Sequence, residues 1–428
     1  MKKLCLMGLL GLTTFFLFAQ TKLDDVINAK EVERIEKTLS SDDMRGRRTF
    51  TPDIDRAADF IADEFKKIGL QTWDNSKSYK QEFAVVRPRF ISASANFDGQ
   101  VIDQKNIIVI TCQADLHIDQ KSGYEIAYIK NGANLSTEAQ KLLKANKNYL
   151  VLVDNSFASN FSRLSNLKRA IFKTDKNVVF VLSDTAPTKF EVESKHEITA
   201  QQLSNVVGVL PGKSKRNEYV IFSGHYDHLG VRTPVNGDSI YNGANDDASG
   251  TTAVIMLAKY FKTLGDNERT IVFAAFTAEE IGGYGSQYFS KQFDPVKVVA
   301  MFNIEMIGTE SKWGKNSAYI TGFEKTDMGA ILQKNLEGSG FNFYPDPYPD
   351  QQLFYRSDNA TLARLAVPAH TISTSKMDSE PNYHKVSDQI ETLDMGNMTM
   401  IIKSIALSSK TIIAGKDTPF RVKVEELR

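Results

Sequence analysis

Cysteine is almost missing from this chain: 428 residues hold two, Cys5 and Cys112. Two thiols cannot build a disulfide framework or a four-cysteine zinc site, so stability must come from the core or from a metal held by other ligands. An excess of one charge is missing too, since 52 Lys plus Arg face 52 Asp plus Glu. A neutral chain lacks the basic field that phosphate backbones demand, which argues against a nucleic-acid partner. Histidine is confined to His117, His196, His225, His228, His370 and His384, and no pair has the H-E-x-x-H spacing. C-x-x-C, G-x-S-x-G and P-loop patterns are also absent. These absences remove the commonest short signatures of helix-borne zinc sites, serine hydrolases and nucleotide hydrolases. What is present, 42% apolar and 24% charged residues, is ordinary for a globular protein and unlike a disordered or multi-span membrane chain.

The one long uncharged run is Leu4 to Ala19, behind Lys2 and Lys3 and ahead of Gln20, Thr21 and Lys22. It is short for a membrane-spanning helix and suits a signal peptide over residues 1–19, cut after the small Ala19. That reading predicts an exported protein, periplasmic or extracellular, with no stable membrane span after the leader is removed. Residues 20–79 show helical periodicity, with Val32, Ile35 and Leu39 in one stretch, Ile54, Ala58, Ile61 and Phe65 in the next, and Gly69 as a stop. Residues 80–200 carry short β-type runs without a catalytic cluster and read as a β-rich insert. From 201 to 428, strands alternate with helical stretches, and Thr270 to Thr277 and Val298 to Glu305 are apolar runs suited to central strands. The expected fold class is α/β: a mixed, largely parallel sheet with helices on both faces.

Five segments of that last region concentrate carboxylates and histidines at strand ends, where α/β sheets bind ligands. His225 and Asp227 follow the first strand, and a carboxylate two residues on suits the support of a metal-bound imidazole. Asp246 and Asp247 precede a helix and read equally as a helix-capping turn or as a bridging ligand with its support. Glu279 and Glu280 follow a buried strand, a costly place for two acids unless cations or partners receive them. Glu305 ends another apolar strand, and His384 follows Tyr383 in a late loop. Two imidazoles and three carboxylates without thiolate form a donor set for catalytic zinc, with room for two cations.

In this order, His-x-Asp, Gly-Ala-Asn-Asp-Asp-Ala-Ser-Gly (243–250) and Ala-Glu-Glu (278–280) followed by Gly285-Ser286 resemble the co-catalytic zinc exopeptidases, the group of bacterial secreted aminopeptidases and glutamate carboxypeptidase II. Leu39 to Arg47, Tyr355 to Asp358 and Pro368-Ala369 add to the likeness. The resemblance implies that His225 and Glu305 hold one zinc, Glu280 and His384 a second, and Asp246 both. It implies Glu279 as general base toward a metal-bridging water, Asp227 as orienter of His225, and Tyr383 as an oxyanion donor. Many relatives carry Asp where Glu305 stands, which predicts weaker metal binding there. The expected activity is an exopeptidase, an aminopeptidase above all, acting on peptide substrates. A single-zinc glutaminyl cyclase and a non-catalytic binding relative are the competing readings on the same fold. The insert stands where relatives often carry a protease-associated domain.

Overall fold

The computed structural model describes residues 23–168 and 170–428; the leader expected at 1–19 lies outside them. The described residues form two compact units, one of 23–82 with 203–428 and one of Phe83–Gln202. The chain passes between them in two long strands, Lys80–Phe97 and Phe190–Leu210. No helix of the described residues is long and apolar enough to cross a membrane.

The larger unit is built on a mixed sheet. Its strands are β1 (Phe190–Leu210, by its C-terminal half), β2 (Lys215–His225), β3 (Arg269–Phe276), β4 (Val298–Ile304), β5 (Ser317–Ile320), β6 (Asn342–Pro345) and β7 (Ala369–Ser373). They lie in the order β6-β5-β7-β4-β2-β3-β1. The pairs β2–β3, β2–β4, β4–β7 and β5–β6 are parallel, whereas β1–β3 and β5–β7 are antiparallel. Side chains alternate across a strand, and each face has its own core. Val220, Phe222, Ile271 and Phe273 pack with α1 (Ala29–Leu39), α2 (Pro52–Ile68), α3 (Ser249–Leu264) and α4 (Met395–Ser408). Their neighbours Ile221, Val272, Ala274 and Phe276 pack on the other side with Phe289, Leu362 and Ala363 of two short helices. Every residue of β3 and β4 is buried, which is why both read as largely apolar runs.

Local signals set the helix ends. Asn28 caps α1 by accepting the Glu31 N–H, and Pro52 opens α2. Gly69 closes α2 and Gly265 closes α3, both with left-handed φ. β2 lies between two later strands, β3 on one side and β4 on the other, so the strand order reverses at β2. Register places His225 opposite Phe276 and Ser223 opposite Asn303. The carboxyl ends of β2, β3 and β4 therefore share one edge, the expected binding edge at such a reversal.

The smaller unit has a four-stranded sheet in the order Ile107–Ile110, Val178–Leu182, Tyr149–Val153, Glu125–Ile129, with a helix at Leu135–Lys144. The Phe190–Leu210 strand runs across the boundary at residue 200 expected from sequence. Its first half pairs with Asp115–Asp119, another strand the sequence reading missed. Both present an exposed charged face, so alternate residues such as Glu191, Glu193 and Lys195 hide the pattern.

Candidate metal centre

The sheet edge gathers the expected residues. His225 is the last residue of β2, and Asp246 lies in an irregular helical turn, Ala244–Ala248, that leads into α3. Glu279 and Glu280 follow β3, Glu305 follows β4, and His384 comes from the loop after β7. Asp246 stands at the middle: Oδ1 is 3.2 Å from Nε2 of His225, and Oδ2 is 3.2 Å from Nε2 of His384. His384 Nε2 is also 3.2 Å from Oε2 of Glu280. His225, Asp246 and Glu305 bring one ligand atom each to within 4.8 Å of one another.

The charges bear on each other. Burial would raise Asp246, but the imidazoles of His225 and His384 hold its carboxyl well below the usual range. Burial would lower His384, yet Asp246 and Glu280 outweigh it and push this histidine up to about 10. Glu305 is pushed up to about 7 by burial, against the pull of His225 and with the Asp246 charge adding. Glu279 is raised well above its ordinary value by burial, with Glu305, Asp358 and Glu280 adding and His225 opposing.

Asp227 differs from expectation. The Nδ1 of His225 faces the main-chain carbonyl of Asp227 at 3.0 Å, while the carboxylate stays 3.7 Å away. That carboxylate instead accepts the main-chain N–H of Glu279 (3.0 Å) and of Glu280 (3.3 Å), and the Thr49 hydroxyl (3.1 Å). With the carbonyl already turned toward the imidazole, the carboxylate is left to organise the two glutamates. Tyr383 stacks on His384 with ring centroids 4.0 Å apart, and it borders a pocket with Glu305, Tyr319, Leu353, Ser357 and Met377.

Three further residues had no role in the sequence reading. Asp388 accepts the N–H of Asn245 and of Asp246, at 2.8 and 3.0 Å, and so fixes the backbone of Asp246. Arg47, fully buried, donates to the carbonyls of Leu39, Tyr226, Asn242 and Gly243. It thereby ties the N-terminal segment to the two loops that carry His225 and Asp246. His228 has its Nδ1 2.8 Å from Oε1 of Glu280. Only its place three residues after His225 was available as a signal.

The donor set fits divalent metal. His225 Nε2, both His228 ring nitrogens, Glu280 Oε1 and Glu305 Oε2 are buried without a hydrogen bond. They are close to opposite charges but out of line for hydrogen bonding. Buried polar atoms of this kind are rare and call for a partner such as an ion. Neutral imidazole and carboxylate are what zinc takes in catalytic sites.

Residues 205–408 match Peptidase family M28. The "Probable leucine aminopeptidase" of Trichophyton verrucosum is 28% identical over 204 residues, which is 45% of this chain and 53% of that protein. The "Probable zinc metalloprotease" of Pyricularia oryzae is 37% identical over 112 residues, 26% of this chain and 22% of its own. The chain thus spans about half the length of the leucine aminopeptidase relative, and less of the metalloprotease. Among solved structures, the aminopeptidase from Aneurinibacillus sp. strain AM-1 superposes with a TM-score of 0.55 at 16% identity, covering 95% of this chain and 98% of that one. BSAP, a zinc aminopeptidase from Bacillus subtilis, gives 0.54 at 17%, covering 94% and 97%. At such identities these two speak for the fold. The matched segment runs from β1 to the end of α4 and contains all five donor-bearing segments, so the likeness to peptidase family M28 falls on the part of the chain that carries the centre.

Proposed function

We propose that this protein is an exported zinc-dependent aminopeptidase whose centre holds two ions. One observation carries the reading. Asp246 stands between two imidazoles from opposite ends of the catalytic region, with Glu280 on one flank and Glu305 on the other. His225, Asp246 and Glu305 would hold one zinc, and Asp246, Glu280 and His384 the other. Zinc at such a centre supplies Lewis-acid polarisation of a carbonyl and an activated water near neutral pH. The names carried by the family's relatives, leucine aminopeptidase and zinc metalloprotease, point the same way.

The chain's own residues supply the rest. Glu279 is placed by the Asp227 carboxylate through its N–H, and its raised pKa suits a base that takes a proton from the attacking water and returns it to the leaving amine. Tyr383, held against His384, offers a hydroxyl to the developing oxyanion. The pocket beside Glu305 and Tyr383 receives a substrate side chain. Export rests on the Lys2-Lys3 and Leu4–Ala19 leader; fractionation that found the whole chain only in the cytoplasm would remove that part.

The test is Glu279→Gln, with zinc content measured on the same sample. Loss of about 10²- to 10⁴-fold in hydrolysis of amino-acyl anilides is expected, with metal retained. Parent-level hydrolysis by a zinc-loaded variant overturns the assignment of the base. A parent protein that cyclises N-terminal glutamine and leaves peptide bonds intact would replace the peptidase reading with the single-zinc cyclase one.

A further inference from the structure

Two buried histidines of the larger unit are instructive together. His370 is a satisfied core histidine: Nε2 is 2.8 Å from the Thr326 hydroxyl and Nδ1 2.8 Å from the Thr321 carbonyl. His228 is as deeply buried, with a side chain 0% exposed, yet neither ring nitrogen has a hydrogen bond. Its Nδ1 lies 2.8 Å from Glu280 Oε1 and 3.9 Å from Asp246 Oδ2. Glu280 Oε1 is itself buried without a hydrogen bond. A nitrogen and an oxygen this close and mutually out of line do not satisfy one another. His228, Asp246 and Glu280 each bring a ligand atom to within 4.8 Å of the others.

The ring is fixed in that direction by its surroundings. A Cβ on Gly243 would come within 2.5 Å of His228 Cγ and Cδ2, so the imidazole is wedged against a glycine that already needs φ +58. The His228 N–H is donated to the Arg47 carbonyl. His384 approaches the same two carboxylates, its ring centroid 5.8 Å from that of His228. Unlike His228, it rides on a loop and keeps its side chain 37% exposed.

We propose that His228 is a fourth protein ligand of the ion at Glu280, so that two imidazoles and two carboxylates surround that position. The His225–Glu305 position has one imidazole. The two sites are then unequal: the Glu280 ion is the tighter, and it survives loss of His384. The inference rests on the two-ion reading above and concerns which nitrogens hold the second ion.

The experiment counts metal rather than turnover. Parent protein, His384→Ala, His228→Asn and the double variant are stripped, reloaded with zinc against a competing chromophoric chelator, and analysed for bound zinc. Cobalt(II) absorption spectra are recorded in parallel. The parent is expected to bind two ions, and His384→Ala to keep two, the second weakened by about tenfold or more. The double variant is expected to keep one, and His228→Asn to change the cobalt spectrum. One ion in folded His384→Ala overturns the inference while leaving the two-ion reading intact. So does a His228→Asn protein with parent affinities and spectrum. A parent that binds no zinc removes both readings. Because His384 is half-exposed, its variant decides the matter even if the buried His228→Asn fails to fold.

Discussion

Three non-glycine residues of the centre hold left-handed backbone: Ala278 at φ +60, Met306 at φ +52 and His384 at φ +57. Each is, or directly adjoins, a residue proposed to act on metal or substrate. Such a conformation costs roughly 1–2 kcal/mol per residue and persists only where neighbours over-determine it. Asp247 is one of those neighbours, since its carboxylate accepts the N–H groups of His225, Gly250 and Met306 at 3.0–3.1 Å. Farther out, Glu36 lies fully buried, with one oxygen accepting from Thr252 and the other without a partner. Burial pushes its carboxyl from 4.5 up to about 8, against the pull of Thr252 and Arg47. The folded state therefore keeps a proton that the unfolded chain releases, and stability falls as pH rises from about 4.5 through about 8. Glu36→Gln removes this dependence. In urea titrations its stability relative to the parent should improve by on the order of 3 kcal/mol between pH 5 and pH 9. A pH-independent difference would mean that Glu36 is not protonated in the fold.

At the scale of elements, the centre depends on how closely α3 approaches the strand ends. A Cβ on Gly250 would lie 2.2 Å from the Ile304 carbonyl and 2.5 Å from both Asp247 carboxylate oxygens. Ile304 precedes Glu305, and Asp247 follows Asp246, so one methyl group would push two donor-bearing loops apart. Gly250→Ala should destabilise the protein by about 1–3 kcal/mol or more, and bound zinc should drop with it. Unchanged metal content and an unchanged melting temperature would refute the close-approach argument. Elements of this kind were legible to different degrees. β3 and β4 announced themselves because both faces are buried and their centres, Ile271 to Phe276 and Val298 to Phe302, are wholly apolar. The Gly69 and Gly265 stops were visible because a left-handed helix end selects glycine. The first half of Phe190–Leu210 was not legible, since its charged alternate face resembles a solvated loop. Asp227 was placed correctly near His225, but which of its oxygens meets the imidazole depends on a turn geometry that spacing does not encode.

Over the whole molecule, the centre holds more negative charge than its imidazoles neutralise, and its proton inventory must change when metal enters. His384 at about 10 is protonated in the metal-free protein at neutral pH, and Glu305 at about 7 is half protonated. Both must be free of protons to act as ligands. His225 is also raised well above its ordinary value, its burial being outweighed by Asp246, Glu279 and Asp247, so zinc binding at pH 7 should release roughly two to three protons, and affinity should rise with pH across that range. Calorimetry of the metal-free protein in buffers of different ionisation enthalpy reads this directly. A binding enthalpy independent of buffer would show that no proton leaves and that His384 is neutral beforehand.

By itself the sequence determined the chemistry on offer. Its donor types, their order along the chain and their positions at the ends of apolar runs are properties of local pattern, and they sufficed to single out His225, Asp246, Glu279, Glu280, Glu305 and His384 as candidates. Only the tertiary structure decided which other groups reach them. Arg47 and Asp388 act from 179 residues before Tyr226 and 142 residues after Asp246, and His228 matters because the fold wedges its ring against Gly243 and aims it at Glu280. Ligand identity follows from side-chain chemistry, which is local. The orientation of a buried ring and the partner of a buried charge follow from contacts between distant segments, which no spacing in the chain specifies.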